Sequence, residues 1–212
     1  KVLKPAVTVK YGKTVLKKVT NFTVSYKNNK AIGIATVTVK GKGNYTGTAK
    51  ATFKINPKAV TGLKLTAGKK QLTVSWKKGT NITGYQLQYG LKKDFSSATK
   101  VTISKAATVK RVLKKLTTGK TYYVRVRTYK TVTGKNYYSV WSKIKSASTK
   151  ISIKKCTITG ISNKTYTGSA IKPAPVVKYG GKKLAVGTDY SVSYKNNKAI
   201  GTATVTITGK GK

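Results

Sequence analysis

The residues that most often carry enzymatic chemistry are nearly absent from this chain of 212 residues. Histidine does not occur, the only acidic residues are Asp94 and Asp189, and Cys156 is the one cysteine. General acid–base catalysis needs a titratable group beside the reacting atoms, and a nucleophile needs a base to activate it. Zinc and calcium need histidine, cysteine or several carboxylates. The sequence therefore predicts no enzyme, no metal site and no cofactor.

One group of residues has the types and spacing for a different kind of chemistry. Arg125 and Arg127 alternate on one face of a predicted strand, and Trp141 follows Tyr137 and Tyr138 in what is predicted to be the neighbouring strand. A guanidinium group over an indole ring makes a cation-π contact worth about 0.5–1 kcal/mol at an exposed site. Two interpretations stay open: a stabilising ladder on a sheet surface, or a platform that uses these aromatic rings and nearby lysines to bind a glycan or a single-stranded polyanion.

The charge of the chain is extreme. Its 45 basic residues give a formal net charge of +43, and only Arg111, Arg125 and Arg127 among them are arginine. Lysine lacks the planar fork of arginine, so a lysine-rich surface favours diffuse attraction to polyanions over specific reading of nucleic-acid bases. The expected partners are anionic polymers, bound by non-specific electrostatics. No apolar run reaches the length of about 18 residues that suggests a membrane span, so no membrane insertion is expected in this segment.

Apolar and polar residues alternate through nearly every part of the chain. Residues 22–26, 35–39 and 122–126 are clear examples, and turn residues such as 28–29 and Gly134 separate the runs. A period of two is typical of half-buried antiparallel strands. No segment has a convincing amphipathic helical period. The sequence therefore predicts an all-β fold. Cys156 is two residues from Ile158 in a predicted strand, so it is expected to be a small buried residue on the same face.

The two ends of the chain are copies of one another. Residues 1–44 align without a gap with residues 169–212 at an offset of 168, and 26 of the 44 positions are identical. Copies separated by a differently patterned stretch are typical of tandem modules. The first copy has a closing segment, residues 45–55, that the second lacks. The second has a leading segment, residues 156–169, that the first lacks.

The stretch between the copies contains the run LTVSW at residues 72–76, and further on Tyr122 follows Leu116 six residues later. On these features residues 58–149 resemble a fibronectin type III domain. In that family the leucine and the tyrosine form a tyrosine corner, in which the phenol bonds to backbone across the sandwich. The resemblance also implies that Trp76 is the core tryptophan.

The C-terminal copy and the segment before it contain KTYTG at residues 164–168, GTDY at 187–190 and SYKNN at 193–197. On these motifs the two flanking copies resemble the Ig-like repeats of large bacterial cell-surface proteins. It implies a bacterial surface array in which Ig-like repeats alternate with a fibronectin type III domain. The chain departs from such repeats in its lack of acids: Asn21 stands where the second copy has Asp189.

These patterns together predict three antiparallel β-sandwich modules arranged as a rod. Residues 1–57 are an Ig-like repeat whose leading strand is missing, residues 58–149 are the fibronectin type III domain, and residues 150–212 are an Ig-like repeat whose closing strand is missing. The predicted function is a non-enzymatic extracellular stalk or adhesin segment, secreted or associated with the cell wall, whose lysine-rich surface binds anionic polymers. The expected polymers are teichoic acid, lipopolysaccharide, mucin glycans or DNA, bound by non-specific electrostatics.

Two alternatives to this function stay open. The modules could tether a secreted cell-wall or carbohydrate hydrolase to its substrate. Neighbouring copies of the chain could also complete each other's sheets with strands and form a surface filament, because an unpaired sheet edge accepts a further strand.

Overall fold

A computed structural model of the chain describes residues 1–210. Within this range the regular structure consists of β-strands and one 3₁₀ turn at Ile153–Lys155. The paired strands run antiparallel, as in the pairing of Phe22–Lys27 with Gly33–Gly41. The predicted all-β fold is confirmed. No helix in residues 1–210 is long and apolar enough to cross a membrane.

The N-terminal part contains a short hairpin and a three-stranded sheet. Its strands are β1 (Lys10–Tyr11), β2 (Thr14–Val15), β3 (Phe22–Lys27), β4 (Gly33–Gly41) and β5 (Thr48–Ile55). The hairpin is β1-β2, and the sheet has the order β3-β4-β5. Alternation along β4 buries Ala35 and Val37, while the neighbouring Ile34 and Thr36 stay more exposed. The middle strand of the sheet is thus paired along both edges.

The middle part is a sandwich of two facing sheets. Its strands are β6 (Lys64–Gly68), β7 (Gln71–Ser75), β8 (Gly84–Gly90), β9 (Thr99–Ile103), β10 (Lys110–Leu113), β11 (Thr121–Val132), β12 (Lys135–Tyr138) and β13 (Lys145–Ser148). One sheet has the order β10-β7-β6, and the other has the order β12-β11-β8-β9. Strand β13 pairs with the first residues of β11, and β12 pairs with its last residues. Because β8 pairs with β11 as well, β12 and β13 share the other edge of β11.

The core of the sandwich is built from the inward positions of both sheets. Leu72 and Val74 come from β7, and Leu87, Val124 and Val126 come from β8 and β11; all five are fully buried. Burying one such side chain contributes about 1.5–3 kcal/mol, so these positions dominate the stability of the sandwich.

Two features implied by the resemblance are present in this core. Trp76 is buried and its ring lies 5.1 Å, centroid to centroid, from the ring of Tyr85. The hydroxyl oxygen of Tyr122 accepts a hydrogen bond of 3.0 Å from the backbone N–H of Thr117, one residue after the buried Leu116. The core tryptophan and the tyrosine corner are therefore confirmed.

The C-terminal part repeats the first four strands of the chain. Its strands are β14 (Thr157–Thr159), β15 (Val176–Tyr179), β16 (Lys182–Lys183), β17 (Tyr190–Lys195) and β18 (Thr204–Gly209). They form the sheets β14-β15-β16 and β17-β18. Cys156 precedes β14 and is only half-buried, and Ile158 within β14 is exposed. The expectation of a buried cysteine is wrong, because β14 is a sheet edge with β15 as its one paired neighbour in the described residues.

Candidate functional site

The outer face of the larger middle sheet carries a stack of charged and aromatic side chains. The even residues of β11 from Tyr122 to Thr128 face the core, so Arg125 and Arg127 face outwards. The guanidinium carbons of Arg125 and Arg127 lie 4.5 Å and 4.3 Å from the ring centroid of Trp141. Trp141 therefore contacts both arginines through its ring.

Two further aromatic rings extend this stack. The guanidinium carbon of Arg125 lies 4.1 Å from the ring centroid of Phe95, and that of Arg127 lies 4.0 Å from the ring centroid of Tyr138. The contacts run in the order Phe95, Arg125, Trp141, Arg127, Tyr138, and we call these five side chains the ladder. Each guanidinium group contacts two rings, an arrangement that satisfies its preference for the faces of aromatic systems.

The register between β8 and β11 supplies the hydrogen bonds that orient the arginines. Gln88 pairs with Arg125 and Gln86 pairs with Arg127. The Nε–H of Arg125 donates to Gln88 Oε1 at 2.8 Å, and the Nε–H of Arg127 donates to Gln86 Oε1 at 2.9 Å. Gln86 is only 6% exposed, and it accepts a second hydrogen bond from Nη2 of Arg127. The guanidinium groups are thus held in place from the neighbouring strand.

Two serine hydroxyls hold the segment that carries Trp141. The backbone N–H of Val126 donates to Ser142 Oγ, and that of Thr128 donates to Ser139 Oγ, both at 3.1 Å. The backbone N–H of each serine in turn donates to the carbonyl oxygen of the same β11 residue, at 2.9 Å for Ser142 and 3.1 Å for Ser139. Residues 139–144 therefore follow the edge of β11 between β12 and β13 without forming a regular strand, and they present Trp141 to the arginines.

Phe95 reaches the ladder from a strained loop. Its backbone φ is +63°, in the left-handed region that bulky residues rarely adopt, at a cost of order 1–3 kcal/mol. The preceding residue, Asp94, accepts a hydrogen bond of 2.9 Å from the backbone N–H of Ser96. This local bond closes the turn around Phe95, whose ring is buried over Arg125.

The structure brings together four of the five residues that the sequence singled out. Arg125, Arg127, Trp141 and Tyr138 lie in the ladder. Tyr137 does not, because it is the adjacent residue of β12 and its side chain is 7% exposed, on the opposite side of the strand. The prediction that Trp141 lies in a strand is wrong. Next to it the N–H of Val126 donates to the side-chain hydroxyl of Ser142, where a regular strand would offer a backbone carbonyl.

Sequence reasoning missed Phe95 and the two glutamines. Gln86 and Gln88 alternate with the same period as the arginines, and this shared parity was the only signal that could have paired them. Phe95 lies between β8 and β9 in an irregular loop, where no periodic pattern could have placed it on the sheet.

The ladder places two positive charges next to one another. Burial lowers the pKa of Arg125, and burial together with the nearby charge of Arg125 lowers that of Arg127, against an opposite effect of Tyr138. Both groups stay protonated, because the pKa of arginine starts far above neutrality. Their side-chain acceptors are neutral amides and not carboxylates.

The described residues offer little for catalysis. No group of three or more His, Cys, Asp or Glu residues that could hold a metal ion occurs within residues 1–210. A shallow hollow of about 300 Å³, where β8 ends and β9 begins, is lined by Tyr89, Leu91, Lys92 and Tyr122 among others. Burial raises the pKa of the free Cys156 thiol, so it is held in its protonated, weakly nucleophilic form.

Comparison with known proteins identifies the middle part of the chain. Residues 58–145 match the family model of the fibronectin type III domain, so a fibronectin type III domain is present there. No curated protein matches the chain.

Several solved structures are similar to part of the chain. A computer-redesigned β-sandwich protein is 22% identical, with a TM-score of 0.37 over 42% of this chain and 92% of that chain. The fn3 domain of human contactin 1 is 18% identical, with a TM-score of 0.38 over 43% and 76%. The FN1-FN3 domains of chicken CNTN1 are 18% identical, with a TM-score of 0.39 over 56% of this chain and 41% of that chain.

Proposed function

We propose that the chain is a non-enzymatic extracellular stalk or adhesin segment of a bacterial surface protein, and that its lysine-rich surface binds anionic polymers. Fibronectin type III domains are typically extracellular structural and adhesion modules, which supports the structural part of this proposal. In the proposed array, Ig-like repeats at residues 1–57 and 150–212 flank the fibronectin type III domain. The recurrence of β1–β4 as β15–β18 supports this division.

The observation that carries the proposal is that both carboxylates of the chain accept local backbone hydrogen bonds. Asp94 accepts a backbone hydrogen bond from Ser96, and Asp189 accepts one of 2.8 Å from Ala185. At the position equivalent to Asp189, the amide oxygen of Asn21 accepts the same bond from Lys17, also at 2.8 Å. The turn is therefore kept while the negative charge is dispensable, and 45 basic residues are left with almost no carboxylates to neutralise them.

Such a surface attracts a polyanion mainly by releasing the counterions condensed on the polymer. The logarithm of the affinity should then fall linearly with the logarithm of the salt concentration. The affinity should drop by about a thousandfold between 50 and 200 mM salt if six or more charges are neutralised. Titrating the whole chain with teichoic acid and with dextran sulfate at several salt concentrations tests this, with uncharged dextran as the control. Affinity that does not change with salt, or equal binding to dextran, would overturn the electrostatic mechanism.

A second candidate, a filament of copies of this chain, is favoured by the free edge of β18. Within residues 1–210, β18 pairs with β17 alone, whereas the equivalent β4 pairs with both β3 and β5. Strand β5 likewise has one free edge in this range. Pairing of β18 with β5 of a second copy would join chains head to tail.

Charge repulsion between copies opposes this filament. The repulsion extends over about 10 Å at 0.1 M salt but only about 3 Å at 1 M, because salt screens it. Sedimentation velocity at low and high salt separates the candidates. The N–H groups of alternate residues donate to β17, as that of Lys210 does to Asp189, which leaves the N–H of Val205 on the free edge. Assembly at high salt that Val205→Pro abolishes would therefore support a filament, because proline removes the donor that a further strand needs. A chain that stays monomeric at every salt concentration would rule it out.

A further inference from the structure

We propose that the exposed edges of the Arg125 and Arg127 guanidinium groups form a specific subsite for the carboxylate or sulfate groups of an anionic polysaccharide that lies along β11. The inference rests on the proposed function and adds a defined site to a surface that otherwise attracts polyanions diffusely. Its ligand chemistry is that of an oxyanion, which matches the planar donor fork of arginine.

The ladder closes the faces of the guanidinium groups and leaves their edges open. The faces are covered by the rings of Phe95, Trp141 and Tyr138 at 4.0–4.5 Å. Arg125 donates from Nε to Gln88, and its two terminal nitrogens have no hydrogen-bond partner among the described residues. In residues 1–210 the one fully buried side-chain polar atom without a partner is Trp76 Nε1, so these terminal nitrogens are in contact with solvent. A ligand therefore reaches Arg125 from its edge and not by stacking.

The positive charge at this site is not neutralised within the protein. Arg125 and Arg127 bond to neutral amide oxygens. Of the two carboxylates, that of Asp189 accepts a backbone hydrogen bond in the C-terminal part, and that of Asp94 accepts one from Ser96 in the loop that carries Phe95. Lys100 on β9 is opposite Gln88, so it shares their face of the sheet and is exposed.

The side chains of the site are also held by contacts within the protein. The aromatic rings and Gln86 hold the arginines, and Ser139 and Ser142 hold the segment of Trp141. Binding costs less when the recognising side chains are already ordered. The two arginines are two residues apart on β11, about 7 Å at the usual rise of a strand, so neighbouring charged groups of one polymer can engage both. The many flexible lysines of the surface offer neither this order nor this spacing.

The decisive variant is Gln88→Glu, which keeps the shape of the side chain but places a carboxylate against Arg125. The ladder should stay intact, because the new carboxylate accepts the same Nε–H bond, while it competes with an incoming oxyanion. The matched control is Gln71→Glu, the same substitution with the same change in net charge, at an exposed position of β7 on the opposite sheet. Thermal unfolding of both variants checks that the fold is kept.

The readout is the affinity of the whole chain for dextran sulfate and for polygalacturonate at one fixed salt concentration. We expect Gln88→Glu to weaken binding by about fivefold or more and Gln71→Glu by less than about twofold. A loss with both polymers supports a general oxyanion site, and a loss with one polymer alone supports a site for that oxyanion. Equal effects of the two variants would overturn the inference.

A second variant, Arg125→Lys, keeps the net charge and removes the donor fork. Arg125→Lys should also weaken binding, whereas purely diffuse attraction would be unaffected by it.

The proposed function and the proposed subsite fail differently. If the unmodified chain does not bind either polymer at low salt, the proposed function is wrong; if it binds but neither ladder variant differs from Gln71→Glu, only the subsite is wrong.

Discussion

The side-chain amide of Asn29 donates a hydrogen bond of 2.7 Å to the carbonyl oxygen of Leu3, and the backbone N–H of Leu3 donates to the carbonyl oxygen of Asn29 at 2.8 Å. In the second copy, Asn197 forms the same pair of bonds with Ile171, at 2.9 Å and 2.8 Å. The side chains at position 3 and its equivalent differ, but only their backbone is used. The asparagine is thus required at both sites, which explains its identity in the repeat.

Removing this amide should loosen the segment that it holds. We expect Asn29→Ala to destabilise the N-terminal part by about 1 kcal/mol, because the carbonyl oxygen of Leu3 loses its donor. Hydrogen exchange at the Leu3 amide, followed by NMR, should accelerate in the variant. Asn163→Ala, at an exposed position, serves as the control. Unchanged exchange at Leu3 would show that the amide bond does not hold the segment.

Val19 is strained in a way that its repeat counterpart is not. Its φ is +76°, a conformation that β-branched residues rarely adopt, and the equivalent Gly187 has φ +83°. We predict that Val19→Gly stabilises the N-terminal part by about 1 kcal/mol through relief of this strain. Chemical denaturation measures the change. The reverse substitution, Gly187→Val, should destabilise the C-terminal part, and a gain in stability there would argue against the explanation.

Trp141 should contribute measurably to the stability of the middle sandwich. Trp141→Ala removes the contacts with both arginines, so we expect a loss of about 1–2 kcal/mol from two cation-π interactions. Val140→Ala is the matched control, since Val140 is the adjacent residue and is 76% exposed. Thermal unfolding of the two variants compares them directly. Equal melting temperatures would mean that the stack adds no stability.

The stability of the protein should depend only weakly on pH. Hydrogen bonds from Ser96 lower the pKa of Asp94 below its ordinary value of 3.8. A carboxyl with a lower pKa in the folded state stabilises the fold above its unfolded pKa, and this contribution is lost as the pH falls through the folded value. Melting temperatures should therefore stay level from about pH 7 to 5 and decline only below about pH 4. Asp94→Asn should reduce that decline, whereas marked unfolding near pH 6 would contradict the prediction.

The ladder shows how far sequence reasoning reached at the candidate site. The alternation of Arg125 and Arg127 was enough to place both on one face, because neighbours two apart in a strand share a face. Placing Gln86 and Gln88 beside them required the register of β8 against β11, which involves residues distant in sequence. Whether Tyr137 or Tyr138 joined the arginines depended on the register of β12, since a shift of one residue exchanges the two faces.

The repeat separates what the sequence by itself determined from what only the tertiary structure decided. Alternation and turn residues determined the strands and the turns in both copies, because these are local properties of the chain. Ala35 and Ala203 occupy equivalent positions within the same run ATVT, yet Ala35 is fully buried and Ala203 is exposed. Likewise Ile200 is 84% exposed, while its equivalent Ile32 is half-buried. The difference lies in the neighbour: β5 pairs along β4, and no described strand pairs along that edge of β18. Burial depends on which distant segment packs against a strand, and a local pattern does not contain that information.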